Sequence, residues 1–294
     1  MAAMPDSATN LVVHEQSRAE ARGCAELIFG RDPSGRTYIR RQFVSYPYHV
    51  CRPLTFAGDP DGMATLYLQS CAGGIYRDDR LREHLVAEEG TSAHVTTQAA
   101  TIVHSMERGT ARQEVLIEAA PESLLEVMPD PFILFPQARF ASAVRVRAHE
   151  AATIILTDSF SCHDPAGTGA MFDWFRGDVV VEDRQGRVLA RDRVRVCGGA
   201  IAERCPGITG TYASQGSLFV IRRRGESAEL VGALRTATAG IDGVYAGASA
   251  LPNGCGAWLR IMAQDAVGLR AAMTAAWQST RRLLTDRVPA PRRK

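Results

Sequence analysis

The residues that could do chemistry in this chain are few and scattered. Cys162-His163-Asp164 places a thiol, an imidazole and a carboxylate in line, donor types that suit nickel or zinc. Side chains of adjacent residues diverge, so the plainer reading of this triplet is a polar loop. His94 and His104 form a second candidate pair. On one continuous strand they would face the same way but lie about 33 Å apart, and only a turn between them would bring both to one ion. A third candidate is Asp78-Asp79, which follows Gly73-Gly74 and is flanked by Arg77 and Arg80. Neighbouring carboxylates attract a cation or occupy a solvated turn, and the two arginines offset part of their field.

No complete catalytic motif accompanies these residues. Ser214 lies in Tyr212-Ala213-Ser214-Gln215-Gly216, which lacks the first glycine of a nucleophile elbow. There is no phosphate loop, and Gly254-Cys255-Gly256 lacks the third glycine of a dinucleotide fingerprint. No His-x-x-x-His pair is present for zinc. Triads assemble from distant positions, so this scan narrows the enzyme reading without closing it.

Composition sets outer bounds. The 34 basic and 32 acidic residues leave a formal net charge of +2. That near balance speaks against a general nucleic-acid binder, which needs a basic excess or stripe. No apolar run reaches the roughly eighteen residues of a membrane span. Met1 to Asn10 has no leader-like pattern, so a cytoplasmic location is expected. The seven dispersed cysteines then read as free thiols.

The elements that must position these groups read mainly as strands. Period-two alternation broken by short turn clusters predicts hairpins at 84–96, 144–156, 178–196 and 217–231, hence an elongated antiparallel or mixed β architecture. Few helices are expected. The clearest spans Asp265 to Asp286, with Leu269, Met273, Ala276, Trp277, Thr280 and Leu284 forming one apolar stripe and Arg281 mostly off it. Asp265 is its expected N-cap. A weaker helix is predicted near Gly169 to Phe175, with loops at Ala166–Gly169 and Gly198–Gly210. The organisation expected is a flexible N-terminus over 1–20, one β-rich domain over 21–292, and a solvated basic tail at Arg292-Arg293-Lys294.

Several stretches, in order, resemble the UreD (UreH) family of urease accessory proteins. Ala72-Gly73-Gly74 with Asp79-Arg80-Leu81 is similar to its A-G-G-x-x-x-G-D-R-L segment, with Asp78 in place of the usual glycine. Thr96-Thr97-Gln98-Ala99-Ala100-Thr101 matches its T-T-Q-A-A-T run. Leu125-Glu126, Met128-Pro129 and Ile133-Leu134-Phe135 resemble L-E-x-x-P-x-x-x-I-x-F. The 178–196 hairpin and the closing Pro291-Arg292 fit its later part. The family's G-R-x-A-x-G-E segment is replaced by Cys162 to Ala170, and its usual tryptophan by Val127.

The resemblance implies a β-rich accessory protein without catalytic activity. It implies partnership with a UreF-like protein, a UreG-like GTPase and apo-urease, and nickel insertion through a polar passage. No tightly bound cofactor is expected, only transient nickel. Asp79 and Glu126 are the candidates for negative field along that passage, and Thr96, Thr97 and Gln98 for its lining or its frame. The threonines also have a purely structural reading, with hydroxyls bonding nearby backbone. Two other readings stay open: a scaffold paralogue that has lost nickel delivery, and an enzyme using Cys162 or His163.

Overall fold

A computed structural model describes residues 22–290. The expected flexible segment 1–20, Pro291-Arg292 and the basic tail lie outside the described residues. Strands take up 47% of the structure and its sheets are mixed, which fits the mainly β expectation. They run β1 (Gly23–Arg31), β2 (Thr37–Val44), β3 (Tyr48–Val50), β4 (Ala64–Ser70), β5 (Arg80–Ala87), β6 (Ser92–Thr97), β7 (Thr101–Val103), β8 (Ala111–Ala119) and β9 (Leu124–Met128). Then follow β10 (Phe132–Leu134), β11 (Arg139–Ala148), β12 (Thr153–Cys162), β13 (Trp174–Glu182), β14 (Val188–Cys197), β15 (Ser214–Arg222), β16 (Val244–Ala250) and β17 (Gly256–Ala263). The helices are α1 (Gly198–Ala202), α2 (Ser227–Thr238) and α3 (Ala266–Thr285).

From β4 to β13 the chain coils between two sheets. Strands β4, β6, β9 and β12 stack in parallel in one sheet, while β5, β8, β11 and β13 stack in parallel in the other. Each sheet therefore grows by one strand per coil, and neighbouring coils supply the hydrogen-bond partners. Antiparallel strands finish the stack. β2 and β14 edge the seven-stranded sheet, while β3 lies at one end of the larger sheet and β15, β17 and β16 at the other.

This topology corrects three of the four expected hairpins. Only 178–196 pairs with itself, as β13 with β14. The turns near Gly90 and His149 are corners that carry the chain from one sheet to the other. Leu85 and Ala87 before the first corner, and Ala93 and Val95 after it, all bury in the same inter-sheet core. A hairpin would have placed these residues side by side in one sheet; here they face each other across the core. The fourth, 217–231, has a strand and then helix α2, with Leu230 and Leu234 buried at helical spacing. The helix expected near Gly169 is a loop, and Gly198–Gly210 opens with α1.

The C-terminal helix matches its expected bounds. The Asp265 carboxylate accepts from Gly268 N at 2.8 Å, and Asp286 closes the helix in a left-handed conformation. Leu269, Ala272, Ala276 and Trp277 pack with α2 on the outer face of the larger sheet, against Leu218, Val220, Leu259 and Ile261. Among the described residues no helix is long and apolar enough to cross a membrane.

Candidate functional site

The larger sheet places a polar row on the face that α3 covers. In β6, Ala93 and Val95 point into the inter-sheet core, so His94 points out; in β9, Leu125 and Val127 point in, so Glu126 points out. Thr65, His94 and Glu126 are register partners across β4, β6 and β9. Helix α3 lowers Trp277 and Arg281 onto them. Arg281 is 0% exposed, the largest fully buried side chain described. Its Nε reaches Glu126 Oε1 at 2.8 Å and its Nη2 reaches Oε2 at 2.5 Å, a bidentate pairing. Its Nη1 donates to Asp59 at 2.5 Å. Glu126 also accepts from Trp277 Nε1 at 3.0 Å and lies 2.5 Å from His94 Nδ1. Asp59 is held in turn by Thr65 Oγ1 at 3.0 Å. Burial pushes the Glu126 carboxyl up, but the hydrogen bonds from His94 and Arg281 outweigh it and hold the pKa down at about 2. Glu126 is therefore ionised and enclosed.

Two cavities flank this sheet. One, about 430 Å³, lies between the sheets, with Tyr48, Glu83, Thr96, Thr97, Gln98 and Gln113 among its lining. The other, about 360 Å³, lies under α3 and is lined by His94, Thr157, Ser159, Met273 and Trp277 among others. Both are walled by Thr96, Pro129 and Asp130, where β6 and β9 end. The hollows thus share one wall at the ends of these strands. Glu83 faces the first cavity and accepts from Tyr48 OH at 3.0 Å and Gln113 Nε2 at 2.8 Å. Among the described residues no cation pairs with it, and burial lifts its pKa to about 7 against a smaller opposing effect of the Tyr48 hydrogen bond.

The residues singled out from sequence are distributed around these features. Thr96 Oγ1 donates to Met128 O at 2.7 Å, Thr97 Oγ1 accepts from Asp130 N at 2.9 Å, and Gln98 Oε1 accepts from Gln69 Nε2. The T-T-Q run therefore both lines the first cavity and ties its wall together. Asp79 accepts from Tyr76 N at 2.7 Å, shaping the turn that leads from Gly73-Gly74 into β5. Asp78 keeps a left-handed conformation, φ 63°, although it replaces the family's glycine. A side chain at Gly74 would meet Ile102 O at 2.5 Å, so this close approach does require glycine. Neither Asp79 nor Glu126 lines the two cavities.

The remaining candidates lie elsewhere. His104 leaves the β6 direction and bonds Gly73 O at 3.0 Å while stacking on Tyr76. Cys162 donates to Ala213 O at 3.2 Å, and burial pushes its thiol up to about 12, so it is protonated at neutral pH. Asp164 caps its own loop through Ala166 N, Ala170 N and Thr168 Oγ1. Among the described residues no three His, Cys, Asp or Glu side chains gather to hold a metal ion. Sequence reasoning missed Arg281, Asp59 and Glu83. The expectation that Arg281 lies mostly off the buried stripe is corrected: one turn beyond Trp277, it is fully buried because Glu126 and Asp59 pair with it.

Comparison with known proteins places the chain among its relatives. The family model described as UreD urease accessory protein matches residues 21–294. A urease accessory protein UreD 1 of Pseudomonas syringae pv. syringae is 41% identical over 276 residues, covering 94% of this chain and 97% of its own length. A urease accessory protein UreD 1 of Methylorubrum extorquens is 38% identical, covering 92% and 91%. The urease accessory protein UreD of Natronomonas pharaonis is 31% identical and covers the whole of both chains. The chain is a member of the UreD urease accessory protein family, with the role in urease maturation that this supports.

Proposed function

We propose that this protein is a non-enzymatic cytoplasmic chaperone that conducts nickel to apo-urease, in a complex with a UreF-like protein and a UreG-like GTPase. The observation that carries this reading is a pair of neighbouring cavities that share Thr96, Pro129 and Asp130 as a common wall. A conducting route must accept a hydrated cation and release it. Hydroxyl, amide and single carboxylate groups do this, whereas a closed thiolate set retains the metal. Thr96, Thr97, Gln98, Gln113 and Asp130 have that character. Glu83, near neutral pKa, exchanges its proton for an arriving cation at little cost. Asp79 and Glu126 act from behind the lining, Asp79 by shaping the turn and Glu126 by fixing His94 and Trp277 in the second wall.

The reading is tested by co-expressing urease with its accessory proteins and replacing this chain by Glu83→Gln/Asp130→Ala. Urease activity is expected to fall several-fold while the variant still co-purifies with its partners. Full activation by the folded variant would overturn the route. Loss of co-purification would place these residues in docking instead.

A further inference from the structure

We propose that the outer face of the seven-stranded sheet docks an acidic, extended protein segment along a row of five arginines: Arg22, Arg80, Arg112, Arg176 and Arg195. The row is built by register. Arg22 N donates to Arg80 O at 2.8 Å. Arg80 is the partner of Arg112, Arg112 of Ala141, Ala141 of Arg176, and Arg176 of Arg195. The next residues along the strands, Leu81, Ala111, Phe140 and Phe175, are buried in the core, so alternation turns the arginines outward, and all five are exposed.

Like charges placed directly opposite on adjacent strands are destabilising. Arg112 pairs with Glu114, but Arg22, Arg80, Arg176 and Arg195 have no carboxylate partner among the described residues. By contrast the adjoining row is neutralised, with Asp178 held by Arg191 and Arg193. The Arg176 guanidinium is set over the Trp174 ring at 4.6 Å, which steadies it. Ala141 is the one small residue of the row, in register between Arg112 and Arg176.

The dimensions select the partner. Six strands at about 4.8 Å spacing give a row roughly 24 Å long, the length of about seven extended residues. Carboxylates at alternate positions of such a segment would fall along the arginines, whose forks bind carboxylate in pairs. A nucleic acid needs a broader basic field, and here Glu114 and Asp178 stand in the adjoining row while Asp173 lies just before β13. This inference is independent of the cation route.

The test is fluorescence anisotropy with the full chain and a labelled peptide of about seven residues carrying glutamate at alternate positions. Salt-sensitive binding is expected, weakened at least tenfold by Arg80→Glu/Arg176→Glu and less by Arg80→Gln/Arg176→Gln. The charge-matched Arg223→Glu/Arg282→Glu variant, on exposed residues elsewhere, should bind like the parent. Equal weakening by both reversals, or no binding by the parent, would overturn the proposal. So would a single-stranded DNA of equal charge that competes better than unlabelled peptide.

Discussion

Glu126, on β9 of the larger sheet, and Glu83, on β5 of the seven-stranded sheet, are both buried carboxylates, yet they occupy opposite ionisation regimes. Glu126 is 0% exposed and Glu83 is 9% exposed, so burial does not separate them. Their partners do. Arg281 and His94 bring Glu126 to about 2, whereas the neutral donors Tyr48 and Gln113 leave Glu83 at about 7. The first site is a fastening: every oxygen is occupied, and α3 is bound to the sheet through it. The second is a site of exchange, facing a hollow with a proton it releases near neutrality. One fold thus uses the same residue type for rigidity in one place and for responsiveness in another.

Removing the guanidinium should break this contrast most severely. Arg281→Met leaves Glu126 and Asp59 buried without their cation, and is expected to cost about 3–5 kcal/mol in denaturant unfolding. It should also move Glu126 upward, toward the regime of Glu83. Adding Glu126→Gln and Asp59→Asn should restore part of the loss; no recovery would mean that packing, not charge, holds the helix.

The pH dependence sharpens the comparison with opposite signs. Glu126 lies below its ordinary 4.5 when folded, so its contribution is complete above about pH 4.5 and is lost as pH falls toward 2. Glu83 lies above 4.5, so the folded state holds its proton more tightly. Stability is then greatest below about pH 4.5 and declines as pH rises through 7, by up to about 3 kcal/mol. Glu83→Gln should abolish that decline and raise the melting temperature at pH 8. An unchanged slope between pH 5 and 7 would contradict the assignment.

Asp265→Ala provides the smallest effect. It removes the N-cap of α3 without touching either glutamate, and should cost about 1 kcal/mol. The acid transition assigned to Glu126 should keep its midpoint. A shifted midpoint would show that helix seating and the ion cluster are one unit.

What was legible in the sequence was local. Asp265, the apolar stripe and Asp286 bound α3 because caps and periodicity involve residues within one helix. The strands of β13 and β14 were legible for the same reason. Corners such as Glu88–Thr91 carry the turn residues of a hairpin, and nothing local tells a hairpin from a step between sheets. Leu230 read as a returning strand because a three-residue apolar run does not fix its period. The site was harder still. Periodicity placed Arg281 off the apolar stripe, but the partner that makes its burial possible is Glu126, 155 positions away. The arginine row is likewise invisible in a net charge of +2, because its members come from separate strands that only register aligns.

The most direct test of the cation route is the nickel content of urease matured with Thr96→Leu, which puts an apolar side chain in the wall that the two cavities share. Elemental analysis of urease purified from the co-expressing strain should show nickel reduced several-fold, with this chain still bound to its partners. Urease carrying its full nickel complement in that strain would contradict the account.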